Sequence, residues 1–157
     1  MNDSLKTLIF NHPFFRGMNP EYLEILATHA AKGSFPADRT LFREGEPADK
    51  LYLLQSGRVV LEAHEPCDGT VRVQTLKGGE ALGWSWLFPP FVWHLQARTL
   101  DKTDAIILDG AHMMTVAERN HEFGYELMKR VARVVIERLQ ATRKQLLGEQ
   151  IEAVLEG

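Results

Sequence analysis

Apolar residues recur with a short period through the middle of the chain and with a helical period at both ends. Between Ser34 and Asp109, short apolar runs are separated by glycine, proline and aspartate. The runs lie at 39–42, 51–55, 58–64, 70–76, 93–99 and 104–108. Runs of this length and spacing are typical of strands in a barrel or sandwich. The turn sequence at 66–69 predicts that the third and fourth runs form a β-hairpin.

Helical patterns precede this region. Apolar residues at 5–9 predict a short amphipathic helix that is broken at Pro13. A second helix is signalled by Asn19, which can cap it, and by Pro20 at its first position. Its helical spacing continues toward Lys32, so we expect this helix to end near residues 32–33.

A long helix is expected from His121, after a short one at 111–119. About 26 residues of helix span about 39 Å, more than the width of a small domain, so part of the helix needs a second partner. Mainly apolar residues recur along this helix at alternating intervals of three and four, which predicts a parallel homodimer. The predicted seam comprises Met128, Val131, Val135, Leu139, Thr142 and Leu146. The alternative is a helix that packs wholly on its own barrel. We thus divide the chain into a barrel with N-terminal helices (1–120), a dimerisation helix (121–148) and a tail (149–157).

Composition excludes several classes of protein. The net charge of −3 gives no general attraction to nucleic acid or to an anionic membrane. No apolar run is long enough to span a bilayer, and the N-terminus lacks the basic region of a secretion signal, so we expect a cytoplasmic protein. Cys67 is alone, and the six histidines lie singly, which predicts no metal centre. Because no nucleophile elbow, phosphate-binding loop or dinucleotide fingerprint is present, we expect neither an enzyme nor a resident cofactor.

The stretch 77–99 is unusual because it holds all three tryptophans together with several glycines and prolines. Gly83 and residues 84–87 predict a short helical turn whose free N–H groups can face an anion. In the strand that follows, alternation places Trp93 and Thr99 on the inner face and Arg98 on the outer face. We therefore expect a pocket lined by this stretch.

Three stretches together resemble the cyclic-nucleotide-binding domain of the catabolite activator and oxygen regulator superfamily. Residues 40–60 place Gly45-Glu46, Asp49, Leu51-Tyr52, Gly57 and Val59 at the intervals of that family. Residues 77–83 and 97–99 resemble the entry and exit of its phosphate-binding cassette, and 138–142 resembles the turn of its dimer helix that meets the base. The resemblance covers about 14–146. It implies a β-roll of about eight strands with flanking helices and a long C-terminal dimerisation helix.

The cassette departs from the family pattern at two positions. Trp84 stands where the family has a glutamate for the ribose hydroxyl, and Phe91, or Val92 in a register shifted by one, stands where it has an arginine for the phosphate. Losing both contacts removes about 3–6 kcal/mol, so cyclic AMP should bind weakly or not at all. Arg143, beside Thr142, is the better substitute cation, because Arg98 faces outward. The candidate pocket residues are Gly83, Trp84, Ser85, Trp86, Phe91, Val92, Thr99, Thr142 and Arg143.

The resemblance implies a sensor or regulatory module that dimerises through its last helix and is read by another protein. Members that read DNA carry a helix-turn-helix domain after this helix, and we expect no direct DNA contact from this chain. One alternative is a pocket that has lost its ligand, which would leave a dimeric scaffold. Another is a small-molecule-binding or enzymatic barrel that uses the aromatic pocket.

Overall fold

A β-roll lies between helices contributed by the two ends of the chain. The computed structural model describes residues 2–67 and 69–156, and describes side chains for residues 5–67 and 69–148. The helices are α1 (Asn2–Asn11), α2 (Pro20–Ala27), α3 (Gly110–Arg119) and α4 (His121–Glu156). The strands are β1 (Ala30–Phe35), β2 (Thr40–Phe42), β3 (Lys50–Ser56), β4 (Arg58–Glu65), β5 (Gly69–Lys77), β6 (Ala81–Leu82), β7 (Gln96–Thr99) and β8 (Thr103–Asp109).

The strands form two antiparallel four-stranded sheets. Their orders are β1-β8-β3-β6 and β2-β7-β4-β5. This arrangement confirms the predicted β-roll with flanking helices and a long C-terminal helix. The predicted hairpin is also confirmed, because β4 pairs with β5 from Arg58–Lys77 to Glu65–Gly69. Gly69 takes a φ of +75°, which suits glycine in the tight turn; Asp68, also named in that turn, lies outside the described residues.

The second helix ends earlier than predicted, and β1 follows it. The helix stops at Ala27, and Ala30 to Phe35 pairs along β8 instead. Gly33 explains part of this preference, because a Cβ there would lie 2.8 Å from Cδ1 of Ile107 on the neighbouring strand. Sheet pairing therefore overrides the helical spacing that the sequence shows at 28–33.

The core is built from the facing sides of the two sheets and from α4. Leu53, Val59 and Ile106 are fully buried, and Phe123 and Leu127 of α4 join the same cluster. This packing fixes where the first turns of α4 lie relative to the strands.

A polar link joins α2 to the start of α4. The Tyr22 hydroxyl donates to Oδ1 of Asn120, 3.4 Å away, and the same oxygen accepts from the N–H of Phe123. Asn120 is the residue between α3 and α4, where the sequence-based division of the chain into barrel and helix also falls. Helix α2 and the start of α4 are therefore held together at this junction.

Helix α4 has 36 residues, and an apolar stripe is exposed on it between residues 125 and 146. Tyr125, Met128, Val135, Leu139 and Leu146 are between 36% and 64% exposed. The seam prediction included Val131, but this side chain is 2% exposed and packs into the chain's own core. The exposed Ala132 lies at the corresponding place instead, so the stripe steps by three and four residues from 125 to 146. None of the described helices is both long and apolar enough to cross a membrane.

Candidate functional site

A narrow cleft of about 50 Å³ lies beside the turn that follows β6. Its lining comes from both sheets, from this turn and from one side chain of α4. The lining residues are Phe42, Leu61, Leu82, Gly83, Trp84, Ser85, Trp93, His94, Leu95 and Arg138. Three of the nine predicted pocket residues, Gly83, Trp84 and Ser85, are therefore brought together here.

Gly83 is needed for the shape of this cleft. Its φ is +96°, and a Cβ at this position would lie 2.6 Å from the Lys50 carbonyl oxygen and 3.1 Å from the Trp93 ring. The backbone then forms a single 3-10 turn at Ser85–Leu87, which confirms the short helical turn expected there. The N–H groups of Leu87 and Phe88 donate to carbonyls within the turn. The anion-binding role of the turn stays a prediction.

Aromatic rings occupy much of the space next to Gly83. The rings of Phe42 and Trp93 are stacked, with centroids 3.8 Å apart and an interplanar angle of 14°. Trp93 is 4% exposed, but it precedes β7, which begins at Gln96 and not at residue 93 as predicted. Trp84, at the position of the family glutamate, is half-buried and makes an edge-to-face contact with Phe88, with ring centroids 6.2 Å apart. The cleft is small because these side chains fill it.

Trp86 and Thr99 have structural roles outside the cleft lining. The Trp86 indole N–H donates to the Gly83 carbonyl oxygen at 2.6 Å. Its ring lies against Gly110, where a Cβ would approach within 2.7 Å. The Thr99 hydroxyl donates to the Pro36 carbonyl oxygen at 2.7 Å and accepts from the Arg39 N–H. Both side chains were predicted to line the pocket. In the structure they instead form hydrogen bonds to backbone groups and so stabilise the fold.

Phe91 and Val92 also lie outside the cleft lining. Phe91 is 47% exposed, with a φ of +58°, and its carbonyl oxygen accepts from the Ala48 N–H. Val92 forms an isolated bridge with Pro47. These backbone contacts attach the loop to residues 47–48, so neither candidate register places a side chain in the cleft.

Thr142 and Arg143 lie on the C-terminal half of α4. They line a shallow depression together with Leu139, Gln140, Leu146 and Leu147. Within one chain the structure does not bring them to the cleft. Their predicted contact with a ligand therefore stays a prediction.

Arg138 is the cleft residue that the sequence reasoning missed, since it was assigned to the solvated flank of the helix. Its Nη2 donates to the Ala81 carbonyl oxygen at 2.7 Å. Burial lowers the pKa of Arg138 to about 10, while Glu80 and Glu137 act in the opposite direction. The group remains cationic at neutral pH. The missed signal is its spacing: it follows Val131 by seven residues and Val134 by four, so it shares their barrel-facing side of α4.

Arg98 is confirmed on the outer face of β7. Its guanidinium forms ion pairs of 3.0 Å with Glu62 and with Asp38. The hydrogen bonds from Arg98 are the main reason that the pKa of Glu62 lies below its usual value. Arg98 is therefore not available to a ligand in the cleft.

Histidine side chains do not form a metal centre in the part of the chain that the structure describes. No group of three metal-ligating side chains is found among those residues. His12 is a core residue whose Nδ1 accepts from the Phe14 N–H and whose Nε2 lies 3.1 Å from the Leu54 carbonyl oxygen. Because Nδ1 accepts, Nε2 carries the proton and donates.

Known proteins with this fold include regulators. The chain is 29% identical over 134 residues to a CRP-like cAMP-activated global transcriptional regulator of Mycobacterium tuberculosis. The match covers 84% of this chain and 57% of the regulator, so the chain spans little more than half of that protein.

Two solved structures show the same fold. A cyclic nucleotide-binding domain from Methylobacillus flagellatus superposes with a TM-score of 0.77 at 17% identity, covering 94% of this chain and 83% of that one. The regulatory subunit of a cAMP-independent protein kinase A from Trypanosoma brucei gives a TM-score of 0.74 at 16% identity, covering 92% of this chain and 51% of the subunit. The sequence model of the cyclic nucleotide-binding domain matches residues 32–120, which is more than half of the chain. The chain therefore belongs to the cyclic nucleotide-binding domain family.

Proposed function

We propose that this protein is a regulatory module in which a small ligand at the Gly83 cleft biases the packing of a pair of α4 helices. The observation that carries the proposal is the hydrogen bond from Arg138 of α4 to the Ala81 carbonyl oxygen. Ala81 begins the short strand that leads into Gly83, so α4 is attached directly to one wall of the cleft. A ligand that displaces this wall acts on the helix as well.

The cleft favours a ligand that does not depend on a cyclic phosphate. Trp84 offers an indole where the family glutamate would accept from the ribose, and neither Phe91 nor Val92 supplies a cation. Arg138 is the cation in the cleft lining, and one of its guanidinium nitrogens is already bonded to Ala81. The remaining surface is aromatic and aliphatic, which suits a planar or acyl group.

The signal leaves the module through α4. The exposed stripe from Tyr125 to Leu146 has the spacing of a coiled-coil seam, and a second copy of the chain is the partner that matches it. Ligand and helix pairing are then linked reciprocally, because a ligand that favours one packing is bound more tightly by it. A further protein in the cytoplasm would read the change.

Calorimetric titration with adenosine and with cyclic AMP tests the cleft. The two share a base and a ribose, so a cassette without phosphate contacts should bind them within about threefold of each other. A preference for cyclic AMP of more than about 30-fold that disappears in Arg138→Gln would overturn this part of the proposal, because Arg138 would then serve as the phosphate cation.

The second candidate function is a dimeric scaffold with no ligand. It is favoured by the Phe42–Trp93 stack and by the cleft volume of about 50 Å³, which is well below that of ordinary ligand pockets. If neither adenosine nor cyclic AMP binds at millimolar concentration and the protein sediments as a dimer, the scaffold replaces the sensor.

A further inference from the structure

A second, larger cavity lies on the other side of Arg138. Its volume is about 350 Å³, and it is bounded by the turn at 13–16, by the β5–β6 turn and by α4. Four arginines line it, Arg16, Arg130, Arg133 and Arg138, against two carboxylates, Glu80 and Glu137. The lining therefore carries an excess of positive charge, although the chain as a whole is acidic.

Two of these arginines have guanidinium groups available to a ligand. Arg130 is already engaged, since Nη1 pairs with Glu126 at 2.7 Å and Nη2 donates to the Arg16 carbonyl oxygen at 2.8 Å. The exposed side chains of Arg16 and Arg133 form no ion pair with the side chains described at 5–67 and 69–148. Both guanidinium groups are therefore free to bind an anion in the cavity.

The inner wall holds polar atoms without partners. Oε1 of Gln74 and Nε of Arg138 are shielded from solvent, and neither has a hydrogen-bond partner among the described residues. Buried polar groups are normally paired, and leaving one unpaired is costly. An occupant of the cavity that offers a donor to Gln74 and an acceptor to Arg138 would supply the missing partners.

The cavity stays accessible when α4 pairs along its exposed stripe. At 100° per residue, Arg133 and Glu137 lie roughly 160° around the helix from Val135 and roughly 120° and 160° from Leu139. A partner helix on the stripe therefore covers the opposite side of α4. The cavity is also distinct from the cleft, with which it shares Arg138 as the common lining residue.

We propose that this cavity is a binding site for a small phosphate monoester. The guanidinium fork matches a phosphate group. With Arg130 paired to Glu126, the remaining lining cations still outnumber the two carboxylates, so the cavity favours an anion. Its volume is within the range of small-molecule sites, so it can hold a sugar with the phosphate. Gln74 provides an amide for a sugar hydroxyl.

Calorimetry with ribose 5-phosphate in a phosphate-free buffer tests this site, with ribose and citrate as comparison probes. We expect saturable binding of ribose 5-phosphate and none of ribose. Arg133→Gln and Arg16→Gln should each weaken binding by roughly 10- to 100-fold. Arg119→Gln, an exposed arginine at the end of α3, is the matched control and should leave the affinity unchanged. Trp84→Ala should also leave the affinity for ribose 5-phosphate unchanged, because Trp84 lines the cleft and not this cavity.

The opposite results are equally clear. Absence of saturable ribose 5-phosphate binding up to about 10 mM, or equal weakening by Arg119→Gln, would overturn the site. Tight binding of citrate without binding of ribose 5-phosphate would overturn its assignment to phosphate. A melting temperature equal to that of the native chain shows that the fold of each variant is intact. A chemical-shift change at the Arg138 Nε–H on titration with ribose 5-phosphate shows that the ligand reaches the inner wall.

Discussion

The indole of Trp93 lies parallel to the phenyl ring of Phe42, with 3.8 Å between the ring centroids. Both rings line the Gly83 cleft, and Trp93 lies 3.1 Å from where a Cβ on Gly83 would stand. The same contact therefore stabilises the barrel and restricts the cleft. Two opposed effects follow from removing it.

We expect Trp93→Ala to lower the free energy of unfolding by about 3–5 kcal/mol, because a buried ring is lost and a cavity remains. The same change should widen the cleft and raise its affinity for adenosine. Urea unfolding followed by circular dichroism measures the first effect, and calorimetry the second. Phe88→Ala is a suitable control, since Phe88 is 39% exposed and should cost less than about 1 kcal/mol. An equal cost for both variants would contradict the role given to the stack.

The Arg98–Glu62 pair should contribute more than a surface ion pair. Glu62 is 7% exposed, so Arg98→Gln leaves a buried carboxylate with the Gln96 amide but without its ionic partner, and should cost about 1.5–3 kcal/mol. The pKa of Glu62 is lowered in the folded state, so its contribution is present above the usual glutamate value and is lost as the pH falls through the acid range. Urea unfolding at neutral pH and near pH 4 should show this loss in the native chain and a smaller one in Arg98→Gln.

The pair formed by Arg58 and Asp101 provides the matched control. Their side chains are 56% and 46% exposed, so Arg58→Gln should cost less than about 1 kcal/mol. If the two arginine variants lose the same stability, burial is not what makes the Glu62 pair important.

His12 should make folding less favourable in mild acid. Burial lowers the pKa of His12 below 6.5, so the unfolded chain binds a proton there before the folded one does. The free energy of unfolding should therefore decrease as the pH falls below about 6.5. His12→Asn keeps an acceptor for the Phe14 N–H but does not titrate, so its urea midpoint should change less between pH 7.5 and 5.5. An identical pH dependence in both proteins would assign the effect to other groups.

Pairing through α4 predicts a dimer in sedimentation equilibrium at micromolar concentration. Val135→Glu places a charge in the middle of the stripe and should yield monomers with an unchanged melting profile of the barrel. Lys144→Glu changes an exposed residue about 180° around the helix from Val135 and should remain dimeric. A monomeric native chain, or equal dissociation by both variants, would contradict the pairing.

The sequence predicted the fold better than it predicted the site. Alternating strands, the Asn19 cap and the start of α4 at His121 follow from local chemistry, and each is confirmed. β1 was missed because the spacing at 28–33 favours a helix, and only its pairing with β8 decides otherwise.

The site depended on contacts between distant residues. Trp86 and Thr99 were assigned to the pocket by proximity in sequence, yet their polar atoms bond to the backbone at Gly83 and Pro36. Arg138 was assigned to the solvent-exposed side of α4 because its side chain is charged. Its angular position on the helix, on the same side as Val131 and Val134, would have predicted that it faces the barrel.

The stripe on α4 repeats every seven residues from Tyr125 to Leu146, whereas a straight helix drifts by about 20° over each such interval. Three intervals amount to about 60°, so two straight helices would lose contact toward one end. Paired α4 helices must therefore coil around each other with a left-handed twist. Tightening or relaxing that twist would turn the two β-rolls about the common axis, and a small local rearrangement at one end would become a rotation of the whole assembly.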